Sequence, residues 1–148
     1  MNFPLKSLIS FVILLHGAIF LVEVFYWMNP GVHEIALRRL GGPVSLELHV
    51  QAAVLRTTFV NLGFYNLFLA LAGLAGLAFL WHGKVSVGRT LIFYMCLSAV
   101  GAGVVLLVST HAYIGALLQA VPAAVAIALM VRAFLGDKQP AAAFAGQG

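Results

Sequence analysis

The chain has 148 residues, of which 63% are hydrophobic and only 8% charged, with a formal net charge of +4. A soluble domain carries about 25% charged residues, so this composition excludes a soluble globular protein. The positive charge is too small and too scattered to mark a nucleic-acid partner, and the composition points to the lipid bilayer instead.

Crossing a bilayer takes roughly 20 apolar residues in helical form. Four such runs can be cut at about 5–28, 59–81, 90–108 and 112–134. Backbone groups in lipid must be satisfied within a helix or by barrel closure, and the runs lack the dyad alternation of a barrel. The expected fold is therefore an all-α membrane protein: a four-transmembrane-helix bundle in residues 1–135 with one long loop between helices 1 and 2. The Ala- and Gly-rich segment 136–148 reads as a disordered tail.

The first run continues past His16 and Glu23 to Trp27, and no small-x-small cleavage site follows, so it is not a signal peptide. Trp27 and Trp81 each close a span, where interfacial aromatic anchors commonly sit. Asn29-Pro30-Gly31 ends the first helix, because proline disfavours helical geometry in the preceding residue. The stretch "VHEIALRRL" sets Val32, Ile35, Ala36 and Leu40 on roughly one face, as in a short helix on the membrane surface or in a solvated loop. Gly41-Gly42-Pro43 breaks it, and from Ser45 the pattern is again compatible with helix, which carries the second helix beyond the membrane. His33, His49 and His82 fall in loops, with no HxxxH pair and no carboxylate at ligand spacing. No metal site and no cofactor is expected.

The second span opens with "NLGFYN" and continues through Gly73 and Gly76. The third contains Cys96, read as a small packing residue, and the pair Ala99 and Gly103. The fourth repeats alanine every fourth residue at Ala116, Ala120, Ala124 and Ala128. Small residues of this kind let membrane helices approach closely. Pro122 removes one backbone bond from the fourth helix and frees a carbonyl near Leu118.

The polar residues within the spans share a depth. At 1.5 Å rise per residue, Glu23 lies roughly 7 Å past the midpoint of its span, toward the long loop. Tyr65 and Asn66 lie roughly 6–8 Å, and Gln119 about 6 Å, from their midpoints on the same side. Asn61 stands one turn nearer the loop, and His16 sits seven residues before Glu23 on almost the same face. An ionised Glu in hydrocarbon costs about 2.5–3.5 kcal/mol or more, so such acids normally face a bundle interior. The expectation is an internal polar belt in which Glu23 accepts hydrogen bonds from Asn66, Gln119 and Tyr65, or is held there as the neutral acid. The same residues also suit plain interhelical glue.

With four spans, Lys6, Lys84, Arg89, Arg132 and Lys138 share one side with both termini, against Arg38, Arg39 and Arg56 on the other. The positive-inside tendency then puts both termini in the cytoplasm, in a cytoplasmic (inner) membrane. Three functions fit: a binding or accessory protein holding a lipid-like ligand or a partner subunit, an intramembrane acid–base enzyme using Glu23, and proton-coupled transport by a homo-oligomer or larger complex.

The segments "LLHGAIFLVEVFYW", "NLGFYN" and "LLQAVPAA", in that order, resemble a family of small bacterial four-helix integral membrane proteins catalogued as domain of unknown function 1304. The resemblance covers most of the chain up to about Arg132 and implies importance for Glu23, Trp27, Asn61, Gly63, Tyr65, Asn66, Gln119 and Pro122. Two positions depart from the pattern: Leu62 stands where Gln is usual and Leu67 where Gly is usual. The family brings no assigned reaction.

Overall fold

The computed structural model of the chain describes residues 3–40 and 45–136. It contains five helices: α1 (Phe3–Leu21), α2 (Pro30–Leu40), α3 (Leu48–Trp81), α4 (Val85–Ser109) and α5 (Tyr113–Gly136). A π-helical turn, Val22–Tyr26, prolongs α1. Four helices are long and apolar enough to cross a membrane: Phe3–Tyr26, Leu48–Trp81, Val85–Ser109 and Tyr113–Ala133. The four-span, all-helical expectation therefore holds. Apart from helical Gly136, the tail at 136–148 and the Gly41-Gly42-Pro43 breaker lie outside the described residues.

The connections follow from local chemistry. Asn29 caps α2, its Oδ1 accepting from Gly31 N at 2.9 Å, and Pro30 takes the first helical position, where a missing N–H costs nothing. Between α3 and α4, Gly83 adopts φ 76°, and Lys84 N donates back to Phe79 O at 2.9 Å. That reversal closes the last turn of α3 and suits glycine. Thr110 separates α4 from α5, its hydroxyl accepting from Ala112 N at 3.1 Å. His111 N then donates to Arg39 O at 2.9 Å, which ties this turn to the end of α2.

Within the bundle α1 packs on α3 and α5, and α4 fills the space between α3 and α5. The main core joins Ile9, Val12 and Ile13 of α1 with Ala70, Ile92, Met95, Cys96, Ala99, Ala123 and Ala126. Glycines set the closest approaches. A Cβ on Gly76 would lie 2.7 Å from Ile92 Cγ1 and 3.0 Å from Gly88 O, and one on Gly103 would lie 2.7 Å from Ala116 O. Gly73 faces Ile13 and Met95 in the same way. At Gly76 and Gly103 a larger side chain would meet backbone and could enter only by parting the helices, whereas at Gly73 it would displace the side chains of Ile13 and Met95.

Along α5 the buried alanines are Ala116, Ala123 and Ala126, with Ala120 partly buried, whereas Ala124 and Ala128 are exposed. The four-residue stripe expected from the sequence is corrected on this point. A four-residue step advances about 40° beyond a full turn, so Ala128 stands roughly 120° around the helix from Ala116. A seven-residue step, as from Ala116 to Ala123, returns within about 20° of the starting face.

A second, smaller core sits at the long-loop end. Trp27, Leu37 and Ala52 are buried together, with Met28, Ala36, Leu48, Leu55 and Phe59 around them. Here α2 packs on the first half of α3. This arrangement corrects the expected face of α2: the buried residues are His33 and Leu37, while Ile35 is exposed. The helix covers protein, so its inner face is set by Trp27 and Ala52.

Candidate functional site

The site is built where the end of α1 crosses α3. Glu23 lies in the π-helical turn, and its Oε2 accepts from Asn66 Nδ2 at 3.0 Å. The same nitrogen donates to Leu62 O at 3.0 Å, one turn back on α3, which fixes the amide's orientation. Gly63 makes the approach possible: a Cβ there would lie 2.6 Å from Val24 Cγ2 and 3.2 Å from Glu23 Cβ. The glycine of "NLGFYN" is thus the residue that meets α1, and Asn66 stands one turn beyond it, within reach of the carboxylate.

The other polar residues do not join this pair. Asn61 and Tyr65 are exposed, Tyr65 to 64%. At 100° per residue both lie within about 20° of the direction opposite Gly63, so they point away from α1 while Gly63 points toward it. Gln119 is partly buried on α5 and makes no hydrogen bond to Glu23 among the described residues. The expected internal belt of five residues is therefore corrected to one internal pair, Glu23–Asn66, with an outward-facing pair, Asn61 and Tyr65, on the far side of α3. Depth follows from position along the chain, but facing follows from rotation about the axis, and Tyr65 and Asn66 are separated by about 100°.

The outward face continues in aromatic rings. Phe20 meets Phe25 at 5.7 Å and Phe64 at 5.6 Å between centroids, and Phe64 neighbours Phe68 at 6.4 Å. Phe25, Phe64 and Phe68 are all substantially exposed. Asn61 and Tyr65 thus sit beside a strip of aromatic surface.

His16 is fully buried on α1, with Nδ1 2.8 Å from Val12 O. The carbonyl can only accept, so in the neutral ring the proton sits on Nδ1 and Nε2 is an acceptor. Nε2 has no hydrogen-bond partner among the described residues. Trp27, expected at the interface, is instead 2% exposed. Its Nε1 donates to Ala52 O at 2.9 Å, its ring stacks on Phe59 at 3.5 Å, and its own carbonyl lies 3.2 Å from His33 Nδ1. Trp81, by contrast, is 90% exposed.

The packing residues fall at the crossings between helices: Gly73, Gly76, Ala99, Gly103 and Ala116 are buried, Ala120 and Pro122 partly so. Gly88, which sequence reading passed over, also sits at a close crossing, since a Cβ there would lie 2.7 Å from Gly76 O. It stands eleven residues before Ala99, about three helical turns back and on nearly the same face, which is the signal that could have found it. Among the described residues, no group of three or more His, Cys, Asp or Glu side chains is placed to hold a metal ion.

No curated protein and no solved structure matches the chain. A family model described as "Protein of unknown function (DUF1304)" matches residues 10–131, a span that includes Glu23, Gly63, Asn66 and both outward polar residues. The chain is a small, helical, membrane-type protein and belongs to the DUF1304 family.

Proposed function

We propose that the chain is an accessory membrane protein whose outward α3 face, centred on Asn61 and Tyr65, docks a helix of another membrane protein. One observation carries this reading. Two hydrogen-bonding side chains stand at the level of Glu23 on the outer surface, with no hydrogen bond to any described residue. Polar groups left against hydrocarbon lose the hydrogen bonds that water would supply, whereas a polar side chain on a neighbouring helix restores them. The exposed Phe64 and Phe68 beside them supply the apolar contact. Glu23–Asn66 then holds α1 on α3 and keeps this face rigid.

The proposed setting is a bacterial cytoplasmic membrane with both termini inside. Lys6, Lys84, Arg89 and Arg132 gather at one end, while Arg38, Arg39 and Arg56 at the other are accompanied by Glu34 and Glu47. That asymmetry agrees with the positive-inside tendency.

The test is mild extraction of the tagged full chain from its own membranes. A partner protein should co-purify with the unaltered chain and be lost from the Asn61→Leu/Tyr65→Leu double variant, whose helices remain folded because both positions are exposed. A chain recovered without protein partners, or a partner equally retained by the double variant, would overturn the reading. A second reading, acid–base chemistry at Glu23, is favoured by its place in a π-helical turn, a feature frequent at functional sites. Glu23→Gln separates the two. Gln can still accept from Asn66, so docking survives, whereas proton transfer at that position stops.

A further inference from the structure

At the opposite end of the bundle, we propose that the chain holds one anionic phospholipid drawn from the surrounding bilayer, with an acyl chain between the helices and the phosphate beside Lys6. A groove of about 1030 Å³ opens there, where the start of α1, the end of α3, the start of α4 and the end of α5 come together. That volume lies at the upper limit of ordinary ligand pockets, which run about 300–1,000 Å³. Its walls are hydrocarbon-like, with Leu77, Leu80, Ile92, Phe93, Leu129 and Met130. Among the described residues its polar lining comprises Lys6, Arg89 and the hydroxyls of Ser10 and Thr90, with no carboxylate among them.

Charge decides the occupant. Lys84 and Arg132 lie at the same end, and Arg132 falls between two lining residues, Val131 and Ala133. The described acids, Glu23, Glu34 and Glu47, all belong to the opposite half. An apolar trough whose polar rim carries positive charge and hydroxyl donors matches an acyl chain joined to a phosphodiester. Free phosphate would leave the apolar walls unused, and a neutral lipid would leave Lys6 unused. Trp81, which also lines the groove and is 90% exposed, carries an amphipathic ring of the type that sits at headgroup level.

Native mass spectrometry of the full chain in detergent, titrated with phosphatidylglycerol and with phosphatidylcholine of the same acyl chains, tests the assignment. One phosphatidylglycerol per chain should bind at least fivefold more tightly than phosphatidylcholine. Removing one cation near an anionic surface weakens attraction by a factor of about five, so Lys6→Gln should lower phosphatidylglycerol affinity by that factor and leave phosphatidylcholine unchanged. Lys84→Gln, outside the groove, should change neither. Val131→Trp, at an exposed lining position, should weaken both by filling the trough. Equal affinity for the two lipids, or an effect of Lys84→Gln as large as that of Lys6→Gln, would overturn the proposal, the latter by showing a diffuse field rather than a site. Because both substituted lysines are exposed, their loss does not threaten folding.

Discussion

Replacing Gly63 by alanine should separate α1 from α3 and break the Glu23–Asn66 bond, although alanine is the better helix former. The new Cβ would stand 2.6 Å from Val24 Cγ2, 3.2 Å from Glu23 Cβ and 3.4 Å from Phe20 O. Carbon atoms pack at about 3.5–4.0 Å, so the helices must part by about 1 Å. Valine has little rotamer freedom in a helix, and the Glu23 Cβ is fixed to backbone, so neither neighbour yields cheaply. A 1 Å opening carries the Asn66–Glu23 bond from 3.0 Å to about 4 Å, beyond hydrogen-bonding range. Overpacking costs about 1–3 kcal/mol and the lost bond about 1 kcal/mol, while the propensity gain returns about 1 kcal/mol. The expected net loss is about 1–3 kcal/mol. Gly101→Ala is the control: nothing lies within 4 Å of a Cβ there, so it should be neutral or stabilising by up to about 1 kcal/mol. Unfolding in mixed micelles, followed by circular dichroism, reads both. Equal stability of Gly63→Ala and Gly101→Ala would refute the close crossing at Gly63.

Three further outcomes follow from the same geometry. A double-mutant cycle of Glu23→Ala and Asn66→Ala should give a coupling of about 0.6–1.7 kcal/mol, the range of interhelical bonds in membranes, whereas Glu23→Ala with Asn61→Ala should give none beyond error. Trp27→Phe keeps the stack on Phe59 but loses the bond to Ala52 O, and should cost about 1 kcal/mol; a change under 0.3 kcal/mol would argue against that bond. His16→Leu removes a buried acceptor that lacks a partner, while Val12 O keeps its helical donor, so stability should hold or rise by about 1 kcal/mol. A loss above 2 kcal/mol in that variant would show that Nε2 is engaged.

The four spans were legible because hydrophobic length is a direct physical requirement of the bilayer, and each of the four apolar runs satisfies it. The extension of α3 toward Ser45 was legible as well, and the helix begins at Leu48. What eluded sequence reading was rotation and burial. Trp27 was placed at the interface because tryptophan prefers that depth, yet α2 folds over it and supplies His33 and Leu37 as cover. That cover depends on a tertiary contact with no local signature. The polar belt expected from the sequence was wrong in direction for Asn61 and Tyr65. A helical wheel centred on Gly63 puts both on the far face, and the close approach that only glycine permits is what fixes that centre. Lys6 and Arg89 were counted only as topological charge, because a groove lined by four separate helices has no sequence pattern.

The most direct test of the docking face is site-specific photocross-linking in the native membrane, with benzoylphenylalanine in place of Tyr65 and, as a control, in place of the exposed Val105 on α4. The account predicts one discrete protein adduct from position 65, of a mass that is not a multiple of the chain, and none from position 105. Adducts with lipid alone from position 65, or the same protein adducts from both positions, would contradict it.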